Sequence, residues 1–306
     1  MLFSAMLSIA DKRLCRAAHC QADTAMTLIS PAELARHYQD TDWVVLDCRF
    51  DLLEPAAGRA AWAESHIPRA HYADLDQDLA QVPGLGTGRH PLPDIEQLAA
   101  SLARWGIGPR TRVVAYDDAG ASIAGRLWWL LRWAGHEQVA VLDGGWSAWL
   151  AAGLPADDSK PAPTAELSAP LILTPCRLPV CSVEDLQAGL MDGSLTLLDV
   201  RTPERFAGKA EPIDPVAGHI PGAINLPLGE NLDSSGGFLP AEELANRFSA
   251  ALAGRSPASA VVMCGSGVSA CQSLLAMEHA GLGGAALYTG SWSGWISDPA
   301  RPVGRL

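Results

Sequence analysis

No stretch of this chain supplies the roughly twenty consecutive apolar residues that a membrane-spanning helix needs, although 48% of its 306 residues are hydrophobic. The opening MLFSAMLSIA is mildly apolar, but Asp11, Lys12 and Arg13 follow at once. Neither a transmembrane helix nor an export signal is expected there. Positive charge is also scarce. Lys and Arg number 22 against 34 Asp and Glu, a formal net charge of −12, whereas a surface that gathers phosphates needs clustered cations. Nucleic acid is not an expected partner. The seven cysteines make no CxxC pair and no zinc-like spacing. An odd count without a framework fits a reducing compartment, so a cytoplasmic protein with no metal, no organic cofactor and no membrane contact is expected.

What the chain does have is enough apolar residue for two packed cores. The first convincing helix signal comes after Met26, with Ser30 as N-cap, Pro31 in the first turn and Glu33 three residues after the cap. Residues 1–25 are expected to be a disordered extension.

Compared with itself, the chain is duplicated. WVVLDCRF at 43–50 answers LTLLDVRT at 195–202, each an apolar run ending in Asp and then Arg; SHIPRA at 65–70 answers GHIPGA at 218–223. RVVAYDD at 112–118 answers AVVMCGS at 260–266, and VLDGGWSAWL at 141–150 answers LYTGSWSGWI at 287–296. Four landmarks in one order predict two α/β domains, each of strands and helices alternating around a parallel sheet. The boundary falls in the proline-rich stretch Pro155 to Pro179, too rich in proline for a helix. The expected division is 26–155, a linker at 156–178, and 179–306.

The chemistry points to VVMCGSGVSACQSLLAMEHAG, where an apolar strand meets a glycine-rich turn and then a helix with apolar residues at Val268, Cys271, Leu274, Leu275 and Ala276. A thiol at that junction faces backbone N–H groups and the positive end of the helix, both of which favour thiolate. Gly265 and Gly267 let the amides curl inward around the Cys264 sulfur. A lone cysteine ending an apolar strand is ordinarily inert core; the turn that follows it is what singles this one out. Cys271 reads as packing, as do Cys15, Cys20, Cys48, Cys176 and Cys181.

Two other loops share the layout. Gly265 to Ala270 satisfies the G-x-G-x-x-A pattern of a dinucleotide site, but the next strand ends near Tyr288-Thr289 without the required carboxylate. A cysteine phosphatase needs an arginine soon after the nucleophile, and Gly265 to Cys271 contains no Arg or Lys.

From Met26 to the C-terminus these residues resemble the tandem-domain rhodanese family. The resemblance implies an inactive first domain, since Tyr116 and Asp117 stand where the duplication places Cys264. It also implies a catalytic second domain that carries sulfur as a Cys264 persulfide. The loop CGSGVSA is one Thr-to-Ser change from that of members acting on 3-mercaptopyruvate, whereas thiosulfate members carry basic residues there. The resemblance further implies Arg205 at the substrate carboxylate, with Gly265, Ser266, Gly267, Val268 and Ser269 forming the binding loop. A second family arginine follows a Glu-Pro pair, but Glu211-Pro212 is followed here by Ile213. The partners implied are a small sulfur donor, 3-mercaptopyruvate or thiosulfate, and a thiol or cyanide acceptor, such as a thioredoxin-like protein. A persulfide relay to a partner protein is the alternative of another class. Arg49 and Arg201 read as ion pairs to the strand-end aspartates, His66 and His219 as a shared structural pair, and Arg89-His90 as a surface loop, with lining of an interdomain cleft as the alternative. Ser266 is a candidate to protonate the departing enolate.

Overall fold

The computed structural model describes residues 26–84, 86–161 and 171–306. The expected extension at 1–25 and the middle of the expected linker lie outside these residues. Two five-stranded, all-parallel sheets follow one another. The first contains β1 (Leu28–Ile29), β2 (Trp43–Asp47), β3 (His71–Tyr72), β4 (Arg112–Tyr116) and β5 (Val139–Leu142). The second contains β6 (Val180–Cys181), β7 (Thr196–Asp199), β8 (Ile224–Asn225), β9 (Ala260–Met263) and β10 (Ala286–Tyr288). Their strand orders, β1-β5-β4-β2-β3 and β6-β10-β9-β7-β8, are the same order repeated.

The sequence reason is burial on both faces. Helices cover each side of a parallel sheet, so its inner strands read as unbroken apolar runs, as VVL in β2 and AVVM in β9 do. Helix starts follow local chemistry. The Ser30 hydroxyl accepts from the Glu33 N–H and caps Pro31–His37, and Ser182 caps Val183–Asp192 in the same way.

The repeated Asp, Arg and Trp landmarks form one repeated device. Arg49 donates to the Asp47 carboxylate from Nε and Nη2, the latter at 2.6 Å, and lies 4.9 Å over the Trp146 ring. Arg201 repeats this with Asp199 at 2.6 Å and Trp292 at 4.7 Å. Each pair staples a strand end to the closing helix. His66 and His219 are structural too. Each carries a backbone bridge to a later segment, Asp157 and Gly304, and donates from Nδ1 to a backbone carbonyl, Trp62 O and Phe206 O. Neither ring lines the cleft described below.

The domains share a core. Helices Ala124–Trp133 and Ala270–His279, each following the loop after the central strand, pack on one another, and one apolar cluster runs through both, from Leu127, Leu130 and Leu131 to Leu274, Leu275 and Met277. They touch most closely at Gly125, where a Cβ would lie 3.0 Å from the Gln272 backbone nitrogen. Larger residues would push the helices apart. This contact brings the two loops at the carboxyl ends of β4 and β9 face to face, the usual place for a ligand in such sheets.

Candidate active site

A cleft of about 340 Å³ opens between the domains. Cys264, Gly265, Ser266, Val268 and Ser269 line it from the second domain together with Arg205, while Phe50, Asp51, Leu52 and Arg89 line it from the first. Cys264 lies at its floor, 2% exposed.

Gly267 turns underneath the sulfur. Its N–H donates to Cys264 Sγ at 3.2 Å. With φ at +80° and a would-be Cβ only 2.6 Å from the Thr289 carbonyl oxygen, no other residue fits there without strain. The sequence predicts several amides around the sulfur; among the described residues, this one is the N–H that reaches it. The first domain shows what the full arrangement can do. Register pairs Tyr116 with Asp47 and Met263 with Asp199, so Asp117 is the counterpart of Cys264. The Asp117 carboxylate accepts four backbone N–H bonds, from Ala119 and Ala121 at 2.9 Å and from Ile123 and Ala124 at 2.8 Å. The loop after the central strand is an anion nest, filled in one half by a carboxylate and floored in the other by a thiol.

Two side chains of the first domain, His90 and Arg126, pack under or beside the Cys264 loop. His90 Nδ1 lies 2.7 Å from Ser266 Oγ, and its Nε2 lies 3.5 Å from Asp76 Oδ1. Burial, then Arg89 and Arg126, push the His90 pKa down to about 3. Asp76 is half exposed and too distant to reverse that, so His90 is a neutral ring at ordinary pH, able to pass a proton along Ser266 without carrying charge. Arg126 is fully buried with no carboxylate partner. Its guanidinium donates to the carbonyls of Gly267 at 3.0 Å, His90 and Pro91 at 3.3 Å, and Leu79 at 3.4 Å. Burial lowers its pKa, while Cys271 and Cys264 oppose the shift. It fixes the Cys264 loop and the His90 loop to one another and places a cation behind the two sulfurs. Cys271 is pushed up to about 12 by burial and donates to Gly267 O, as packing requires.

Arg205 donates to Glu211 from Nε at 3.0 Å and Nη2 at 2.7 Å, and Nη2 also reaches Asp214 at 3.3 Å. Its Nη1 faces the cleft over Gly265. Ile213, half-buried, brings no charge.

The expectation of a surface loop at Arg89-His90 is overturned. The His90 side chain is buried and the Arg89 backbone N–H donates to Ser293 Oγ of the other domain at 3.0 Å. The loop is exposed with respect to its own domain, and the second domain covers it. A signal was available: Leu92-Pro93 before the helix Ile95–Arg104 matches Leu239-Pro240 before Ala241–Leu252, which sets Arg89 and His90 against Gly236 and Gly237. Charged residues where the repeat has glycine mark a local task. Nothing comparable flags Arg126, one of two arginines in the apolar run RLWWLLRW.

Comparison with known proteins agrees with the geometry. The family model described as rhodanese-like domain matches residues 30–152 and again 182–298. A Pseudomonas aeruginosa protein named "Probable 3-mercaptopyruvate sulfurtransferase" is 46% identical over 287 residues, covering 90% of this chain and 97% of its own. A Mycobacterium tuberculosis protein named as a thiosulfate sulfurtransferase is 42% identical over 291 residues, covering 91% and 96%. Among solved structures, 3-mercaptopyruvate sulfurtransferase from Leishmania major superposes with a TM-score of 0.75 at 29% identity, over 89% of this chain and 74% of that one.

Proposed function

The chain belongs to the rhodanese-like family and is a sulfurtransferase, and from that premise we propose that Cys264 takes sulfur from 3-mercaptopyruvate and passes it, as a persulfide, to an acceptor thiol or cyanide. The observation that carries this reading is Cys264 over the Gly267 amide in a cleft that Ser266 also lines, with the buried His90 ring bonded to Ser266 from behind. Thiosulfate would call for cations in the loop itself, and that loop has none between Gly265 and Cys271.

The first half-reaction forms one bond and breaks one. The Cys264 thiolate attacks the donor sulfur, an S–S bond forms, and the C–S bond breaks with its electron pair passing to the enolate of pyruvate. Arg205, with its Nη1 turned to the cleft, supports the donor carboxylate. Ser266, with neutral His90 behind it, returns a proton to the enolate carbon and is re-protonated through the ring. The outer sulfur of the persulfide, anionic at neutral pH, is drawn toward the loop amides and the Arg126 charge. In the second half-reaction an acceptor thiolate, for instance on a thioredoxin-like protein, attacks the outer sulfur and Cys264 leaves as thiolate.

The test is intact-protein mass spectrometry after mixing with each donor. Gain of one sulfur from 3-mercaptopyruvate, with one pyruvate released, and no gain in Cys264→Ser supports the reading. Loading by thiosulfate alone transfers the enzyme to the other donor. Loading by no small donor, but by a persulfidated partner protein, makes it a relay.

A further inference from the structure

The stretch 50–54 joins β2 to the helix Pro55–Glu64, and its first three residues line the cleft from the first domain. It breaks the repeat. Phe50 and Asp51 stand where the second domain has Thr202 and Pro203, so the ring and the charge are not part of the scaffold that the two halves share. Asp51 is the one carboxylate among the described residues lining the cleft.

Its local role does not account for that charge. Asp51 Oδ1 accepts the N–H of Leu53 at 2.7 Å and of Glu54 at 3.3 Å, which makes an Asx turn ahead of the helix. Among the described residues nothing pairs with Oδ2. An asparagine closes the same turn with its single oxygen and no charge. The turn therefore explains one oxygen and leaves the negative charge at the cleft without a structural use. The donor gains nothing from it either, since 3-mercaptopyruvate is itself an anion. The second half-reaction is where it fits. There a thiolate must approach an anionic persulfide, and like charges repel. Cys264 is 2% exposed at the floor of a cleft of about 340 Å³, so a slender molecule is the acceptor that reaches its sulfur. The walls it passes are apolar, with Phe50 and Leu52 on the first-domain side and Leu228 and Val268 on the other.

We propose that Asp51 selects the acceptor, pairing with the ammonium of a low-molecular-weight aminothiol whose short carbon chain lies against Phe50 and Leu52. The proposal rests on the Cys264 persulfide assigned above and adds the chemical class that discharges it. The acceptor sulfur bonds to the outer sulfur, the S–S bond to Cys264 breaks, and its electron pair remains on Cys264 as thiolate; no further reactant is needed. The ammonium offsets the repulsion between the two anions and favours the thiolate form of its own thiol.

The experiment loads wild type and Asp51→Asn with sulfur, removes the donor, and follows discharge by three thiols of similar length: cysteamine, a cation; 2-mercaptoethanol, neutral; and 3-mercaptopropionate, an anion. Rates are taken per thiolate and relative to 2-mercaptoethanol. Wild type prefers cysteamine to 3-mercaptopropionate, and in Asp51→Asn that ratio falls about five- to twentyfold, since an exposed opposite-charge pair contributes up to about fivefold and a like-charge contact subtracts as much. High salt narrows the wild-type ratio and leaves that of the variant in place. The assignment is overturned if the ratio stays within about twofold of wild type, or if all three thiols change by one factor, as loss of the turn alone would produce. Loading is read first, by mass: a wild-type chain that gains no sulfur from 3-mercaptopyruvate or thiosulfate overturns the persulfide reading and this proposal with it, whereas a loaded chain with a flat ratio overturns the role of Asp51 alone.

Discussion

His90 should make this protein acid-sensitive in a way that one substitution removes. Its ring is 5% exposed, and burial together with Arg89 and Arg126 takes its pKa from 6.5 to about 3. As pH falls below 6.5 the unfolded chain takes up a proton at this ring and the folded chain does not, so the unfolded state binds more protons and stability declines. The neutral ring's contribution is complete above 6.5 and lost progressively down to about 3. Between pH 7 and pH 5 the loss is about 2 kcal/mol, at 1.36 kcal/mol per pH unit once titration is under way. His90→Asn keeps a polar group facing Ser266 and cannot titrate. Urea unfolding of both proteins at pH 7, 6 and 5 should show wild type losing about 2 kcal/mol more than the variant. His71 and His136, also lowered by burial, are present in both and cancel. Parallel losses would refute the reasoning, and would mean that Asp76 closes on the ring and lets it protonate in place.

Gly267→Ala should lower stability by about 1–2 kcal/mol for the left-handed backbone alone, with more from the Thr289 carbonyl contact, and should slow persulfide formation in stopped-flow measurements. Arg126→Met leaves four carbonyl oxygens without their donor, and chemical denaturation should report a loss above about 3 kcal/mol; Arg126→Lys, a single-point cation, should recover only part. Ser266→Ala should reduce turnover of 3-mercaptopyruvate about a hundredfold, the lower range of general acid–base effects, while Cys264 still alkylates with iodoacetamide. Asp117→Asn removes the charge that four amides hold and should destabilise the chain by about 1–3 kcal/mol, measured by its thermal midpoint.

Much of this was legible in the sequence because duplication displays which residues do the same work twice. Asp47 with Arg49 and Asp199 with Arg201 mark the same strand ends, and Trp146 and Trp292 are the rings those arginines cover. The paired histidines read correctly as structural for the same reason. Cys264 stood out because a glycine-rich turn and then a helix follow it directly. The residues that the reading undervalued are those whose burial is decided by the other domain. Periodicity reports burial within one sheet or helix, and the loop carrying Arg89 and His90 has no period of its own. Arg126 lies on a helix that is covered all round, and a cation in such a run gives no sign of whether its stem or its head is inside.

The Asp117 carboxylate has a consequence for the other half. The first nest is occupied for the life of the protein, whereas on the mechanism proposed above the second would exchange its guest at every turnover, between a bare sulfur that one N–H touches and a side chain longer by one S–S bond of about 2 Å. The lengthened group reaches toward the space that the carboxylate oxygens fill in the first domain. The sulfur-laden protein should therefore be the stiffer and hotter-melting of the two forms, and part of the driving force for loading comes from quieting the loop. On that mechanism an acceptor would work against that gain to strip the cargo, and the loop would hold sulfur until a competent thiol arrives.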